Sequence, residues 1–298
     1  MRVANKTIYD GTIRNLGMTS SGMVDANETV STTKRINNLS DDPVGLVAVL
    51  GLRSSLSNLN QMERNISMGS SWLKASESAL TQVNNILSST KELTVAMSSG
   101  NTNASQRANN VDLVDGYLKE IISLSNSSTG GRYIFGGTNT DTIPFDFDAS
   151  GTQVTYAGND TAFSINIGKD SVVPVGRDGE DVFGENWDDS NIFKTLMDLK
   201  TSLGSNDIAG IQGAMTKLDA HIKSVSGTIS DIGGKTIRLN VKQEVVTDLK
   251  LTDTERMSEL EDADLAAAVI NLKSKELAYN AALSSSAKLM ELSLVNFV

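Results

Sequence analysis

Stepping alternately by three and four residues from Leu265 meets Leu265, Val269, Leu272, Tyr279, Leu283, Met290, Leu294 and Phe297, interrupted only by Glu276 and Ser286. The same stepping from Tyr9 meets Tyr9, Ile13, Leu16, Met23 and Val30, interrupted by Ser20 and Asn27. Apolar residues at this spacing line one side of a helix and predict a coiled-coil or bundle seam. Neither segment is long enough to fold as a compact domain alone, and chain ends ordinarily stay polar or fray. Two ends that both offer helical seams are therefore expected to pair, with each other or with other copies of the chain.

Between them the pattern is also mostly helical. The three prolines are Pro43, Pro144 and Pro174, so long helices are permitted from 44 to 143 and after 174. Ser40-Asp41-Asp42-Pro43 reads as a helix start, with Asp42 capping free N–H groups and Pro43 at the first helical position. Leu52, Leu56, Leu59, Met62, Ile66, Leu73, Leu80, Val83 and Leu87 continue the stripe and predict one helix over 44–98, which Ser99-Gly100-Asn101 ends. A second helix is expected from Asn103, with Gln106 at the capping-box distance, to Ser127. The period then changes. Gly130 to Gly137 is a short apolar run bounded by glycines, and 154–156, 163–167 and 172–175 read as strands separated by turn sequences. Helix returns over 191–203 behind an Asp189-Ser190 cap, and again over 207–249, where Gly227 and Gly233-Gly234 weaken the pattern. Thr252-Asp253-Thr254-Glu255 reads as a new cap or a hinge before the terminal seam.

The expected fold is mainly α with a small inserted β domain (α+β), nested so that matching halves pair antiparallel into a rod of long helices. Three domains are expected: 1–42 with 253–298 as a terminal coiled-coil assembly domain, 43–137 with 191–252 as a long-helix rod, and 138–190 as a small acidic β domain.

Composition sharpens this. Hydrophobic residues are 39 % of the chain and aromatic residues 5 %, enough for helix pairs but thin for one large globular core. Cysteine is absent, so disulfides and thiolate metal sites are excluded. Of the net charge of −10, a large part sits in 138–193, where Asp141, Asp146, Asp148, Asp160, Asp170, Asp178, Glu180, Asp181, Glu185, Asp188 and Asp189 face only Lys169 and Arg177. The middle is a self-repelling solvated surface, and the ends are near-neutral packing surfaces. Without a basic stripe to displace counterions, no nucleic-acid partner is expected. No run of 18 apolar residues and no secretory h-region occurs, so the expectation is a chain that does not insert in a membrane and is soluble or exported without a cleaved signal.

Catalytic chemistry finds no foothold, and the chain is not expected to be an enzyme or to hold a cofactor or metal. His221, the only histidine, lies in a predicted helix beside Asp219 with no second imidazole. Gly234-Lys235-Thr236 resembles the end of a phosphate-binding loop, but Ile229 stands where that loop needs glycine. The acids around Gly176–Asp181 lack the ligand spacing of a calcium loop. A helical-stalk adhesin with an acidic head is the other class the composition allows.

Several stretches are family-like. Thr33-Lys34-Arg35-Ile36-Asn37, followed by Ser40-Asp41-Asp42-Pro43-Val44-Gly45, resembles the N-terminal signature of the flagellin family, and Arg53, Asn65 and Glu77 to Leu80 continue it. Asp262-Ala263-Asp264-Leu265 resembles the family's C-terminal segment, and Arg238-Leu239-Asn240 its inner C-terminal helix. In the middle, Tyr133, Phe135, Gly136 and Gly137, with Thr142 to Phe145 and Val182-Phe183-Gly184, are more similar to members that sit where hook meets filament than to filament flagellins; so is Leu292 to Phe297. The resemblance implies a structural part of the bacterial flagellum, secreted through the flagellar type III export apparatus. It implies an adapter layer of copies between a hook-side junction protein and flagellin, with a cytoplasmic export chaperone on the C-terminal region beforehand. A minor flagellin of the filament is the alternative.

Overall fold

The computed structural model describes residues 2–168, 171–184 and 187–295. In chain order the elements are α1 (Arg2–Thr32), α2 (Pro43–Ser98), α3 (Ala104–Ala108), α4 (Val111–Ser125), β1 (Ser128–Thr129), β2 (Arg132–Tyr133), β3 (Phe145–Phe147), β4 (Val154–Tyr156), β5 (Ser164–Gly168), β6 (Ser171–Pro174), α5 (Gly179–Phe183), α6 (Ile192–Gly204), α7 (Ile208–Glu261) and α8 (Leu265–Val295). The chain is thus mainly helical, with small antiparallel hairpins between the helices. It folds as two compact units, 1–59 with 248–298, and 60–247.

In the unit of residues 60–247, two long helices carry heptad seams. On α2, Ile66, Leu73, Leu80 and Leu87 recur every seventh residue and are buried; on α7, Ile211, Leu218, Val225, Ile232, Leu239 and Val246 do the same. Lys91 pairs with Asp219, and Gln243 donates to Glu63 Oε1 at 3.4 Å, so the two helices run antiparallel. The shorter helices α4 and α6 pack on each other through Leu118, Ile121, Leu196 and Leu199, with Lys200 bridging to Asp115 at 2.6 Å.

The strands form three separate two-stranded antiparallel hairpins, β1–β2, β3–β4 and β5–β6. In β3–β4 the register pairs Phe145 with Tyr156 and Phe147 with Val154. Phe145 belongs to an aromatic cluster whose ring centroids lie 5.2 Å from Phe183 and 5.2 Å from Phe193, and Phe135 meets Phe183 edge-on at 5.3 Å. The β5–β6 hairpin lies on α2 at Gly69, where a Cβ would collide with Ile165 Cδ1. Phe163, just before β5, covers Trp72 with 4.9 Å between centroids.

Four local expectations change. The helix expected over 103–127 is two: α3 opens with the Asn103–Gln106 capping box and closes at Asn109, and α4 starts afresh behind Asn110. The run from Gly130 to Gly137 supplies only the two-residue strand β2, with Gly130 and Gly131 at positive φ in the tight turn. The cap of α6 is Asn191, whose side chain accepts the Lys194 N–H, while Asp188 instead holds the Ser190 N–H at 2.8 Å. Finally, no new cap or hinge forms at Thr252–Glu255: α7, which crosses Gly227 and Gly233-Gly234 as expected, runs on unbroken to Glu261. These glycines have nothing within 4 Å of a Cβ position, so they lie off the seam. The buried heptad repeat outweighs a cost of about 1 kcal/mol per glycine.

Candidate assembly site

In the unit of residues 1–59 and 248–298, four helix ends meet at a clasp. Helix α1 stops at Thr32, and Thr33 takes a left-handed conformation at φ 60° that a β-branched residue rarely adopts. That bend turns the chain so that the Arg35 N–H donates to Glu261 O at 2.6 Å and the Ala263 N–H donates to Thr33 O at 3.0 Å. The two bonds form an antiparallel bridge between Lys34 and Asp262. Beneath it the Glu261 carboxylate is buried, and it accepts from Lys34 Nζ at 2.5 Å and from Arg53. A buried carboxylate is costly unless paired, and here two cations satisfy it.

The signature residues build the rest of the clasp. Arg35 donates to Leu260 O at 2.8 Å and pairs with Asp42 at 3.5 Å. Asp41 accepts the N–H groups of Asn37 at 3.0 Å and Asn38 at 2.8 Å; the Asn38 and Asn37 bonds hold its carboxyl below the usual range. Asp42 Oδ1 accepts the Gly45 N–H at 2.8 Å, capping α2 behind Pro43 as expected. Asp264 caps α8 in the same way, accepting from Ala266 at 2.9 Å. Arg35, Asp41, Asp42 and Pro43 therefore position helices. Sequence reading missed Glu261, because its partner Arg53 is 208 residues away.

From the clasp, α1 and α8 run antiparallel: Ala263 meets Thr33, and further along Gly22 faces the Lys275 side chain. Along the expected seam Leu16, Met23, Val30, Leu272 and Tyr279 are half-buried, whereas Tyr9, Ile13, Leu265, Val269 and Leu283 remain exposed. The side chains of Met290 and Leu294, and Phe297 altogether, lie outside the described residues. Among described side chains, α1 buries only Ala26 and α8 buries none. Met18, Val24, Ile270 and Leu277 are further exposed apolar residues that the stepping did not select.

The remaining signature residues lie in the other unit. Asn65 donates to Asn166 O at 2.7 Å and ties α2 to β5. The Tyr133 N–H donates to Thr140 O at 2.8 Å, and Phe135 is buried in the aromatic cluster. Gly136 and Gly137 let the backbone approach Asn139 and Asn159, where a Cβ would collide, and Gly137 has φ 67°. Arg238 and Asn240 are exposed on α7, Asn240 at the rim of a shallow cleft with Asn60 and Gln243.

Residues 3–140 match the family profile of the bacterial flagellin N-terminal helical region. The N-terminal part of the chain is thus similar to bacterial flagellins. The curated flagellar hook-associated protein 3 of Escherichia coli is 23 % identical over 99 % of this chain and 98 % of its own length. A flagellin of Listeria monocytogenes is 26 % identical over 90 % of this chain and 88 % of its own. Among solved structures, a putative flagellar hook-associated protein from Vibrio parahaemolyticus superposes with a TM-score of 0.68 at 21 % identity, over 74 % of this chain and all of that one. The matched segment contains the first half of the clasp, Asn65 and the aromatic strand, while Glu261, Arg238, Asn240 and α8 lie beyond it.

Among the described residues no group of three or more His, Asp or Glu could hold a metal ion, and no helix is long and apolar enough to cross a membrane. His221 is 5 % exposed, shares a hydrogen bond of 2.9 Å with Thr195 Oγ1, and has its pKa pushed down to about 4 by burial and then by Lys217. Asp219, its sequence neighbour, is engaged by Lys91 instead. Another polar residue that sequence reading missed is Arg107. It is buried, and its guanidinium donates to Met97 O, Ser99 O and Asn206 Oδ1 at 2.7–3.0 Å, pinning two turns together.

Proposed function

We propose that this chain is a structural subunit of the bacterial flagellum and forms the adapter layer between the hook-side junction protein and the flagellin filament. The observation that carries the reading is the terminal pair α1–α8, an apolar antiparallel hairpin whose own chain leaves most of it uncovered. A helix pair of this kind gains its burial from neighbours, at about 1.5–3 kcal/mol for each large apolar side chain removed from water. Copies of the same chain are the neighbours within the layer, joined head to tail so that the assembly does not close on itself. Full-length similarity to a hook-associated protein supports the place at the hook–filament junction.

In this reading the segments 1–42 and 253–298 form the assembly domain, 43–137 with 191–252 the supporting helices, and 138–190 the outward acidic domain. Before assembly the chain passes through the flagellar type III export apparatus, with its C-terminal seam held by a cytoplasmic chaperone.

Leu272→Asp or Leu283→Asp is expected to abolish attachment of the chain to flagella while the unit of residues 60–247 stays folded by circular dichroism. Normal filaments in those variants would sink the reading. Immunogold microscopy with antibody to 138–190 places the layer: a narrow band where hook meets filament fits the adapter, whereas label along the filament makes the chain a minor flagellin.

A further inference from the structure

Pro43-Val44-Gly45-Leu46-Val47-Ala48-Val49-Leu50-Gly51-Leu52 is ten residues without one polar side chain, and it forms the first turns of α2. A helix apolar on all sides belongs in a buried environment. Here only one side is covered: Val49 and Gly45 are buried against their own unit, while Val44 is 82 % and Val47 66 % exposed, with Leu50 beside them. This face is separate from the terminal seam and joins none of the contacts of the clasp.

We infer that this uncovered face of α2 is a second docking surface, and that its occupant is the outer face of α8 from a neighbouring copy. The inference rests on the assembly reading above. Three features select that occupant. First, a heterologous contact needs two different complementary patches on one chain, and α8 supplies the second: Ile270 is 71 % and Leu277 73 % exposed, one heptad apart on one side of the helix. Second, charge is sparse on both sides: 43–52 carries none, and on α8 neither Leu265 to Leu272 nor Leu277 to Ala287 carries any. The charged side chain between Ile270 and Leu277 on that face is Lys273, which is 72 % exposed and paired with Glu276 and can keep its ammonium in water beside the contact. Third, both faces carry small residues that let helices approach closely: Gly51 has nothing within 4 Å of a Cβ position, and Ala266 and Ala267 are exposed. A charged helix, such as the acidic stretch of α7 from Glu244 onward, would meet a purely apolar face with no counter-charge.

The chain contains no cysteine, so introduced thiols are unique. Full-length Val47→Cys and Ile270→Cys chains are co-expressed in cells lacking the native copy, and isolated flagella are oxidised. The expected result is a covalent dimer from the mixture and none from either variant alone. Assembly without that dimer, a dimer from Val47→Cys alone, or a cross-link from Val47→Cys to a different flagellar subunit would each overturn the inference. In parallel, Val47→Asp, a change at an exposed position, is expected to reduce attached copies about tenfold or more with unchanged circular dichroism of the secreted chain. Wild-type attachment of Val47→Asp while Leu272→Asp fails to attach would refute this second surface and leave the assembly reading standing. Normal attachment of Leu272→Asp would remove the assembly reading itself.

Discussion

Replacing His221 by glutamine isolates one titrating group at the centre of the helical unit. In the folded chain His221 is 5 % exposed, neutral, and hydrogen-bonded to Thr195 at 2.9 Å; burial, then Lys217, lowers its pKa to about 4 from 6.5. The unfolded chain takes up this proton near pH 6.5 and the folded chain only near pH 4. Between those values the unfolded state binds more protons, so stability falls as the pH falls, and below about 4 this residue contributes no further loss. The separation of the two pKa values corresponds to about 3 kcal/mol across that window. The glutamine amide of His221→Gln keeps a hydrogen-bonding group for Thr195 but does not titrate. Urea unfolding of both chains at pH 7, 5.5 and 4 is therefore expected to show the stability advantage of the native chain over the variant shrinking by about 3 kcal/mol. Subtracting the variant removes the carboxylates that titrate in the same range. A difference that stays constant from pH 7 to pH 4 would refute the argument, because it would mean His221 is as well hydrated when folded as when unfolded.

Two further outcomes test the clasp. Glu261→Ala removes the buried carboxylate but leaves Lys34 and Arg53, both partly exposed and free to turn to water; the expected loss is about 1–2 kcal/mol in guanidinium unfolding, and no loss would mean the ion pairs are idle. Thr33→Gly relieves the left-handed strain at the end of α1, offset in part by the freedom glycine gains when unfolded, so a net gain of about 1 kcal/mol is expected. A destabilised Thr33→Gly chain in the same assay would mean that the threonine hydroxyl bond to Thr32 O matters more than the backbone angle.

What the sequence by itself determined was whatever depends on residues within a turn or two. Asp42-Pro43 starts α2 and Asn103 with Gln106 starts α3, because caps act on N–H groups three residues away. The stripe Ile66, Leu73, Leu80 and Leu87 is buried as its period demands. The helix expected through the glycines of α7 is there, and it continues past the turn expected at Thr252–Glu255, because the heptad partners across the bundle hold it together. Only the tertiary structure decided which polar side chains are pinned inside. Glu261 finds Arg53 across 208 residues, Arg107 finds Asn206 across 99, and neither pairing leaves a trace in the spacing. It also decided which side of the charge-free start of α2 is covered. A segment apolar on every side has no periodicity to reveal its inner face, so only packing within its unit, with Ile36 against Gly45, distinguishes buried Gly45 and Val49 from exposed Val47.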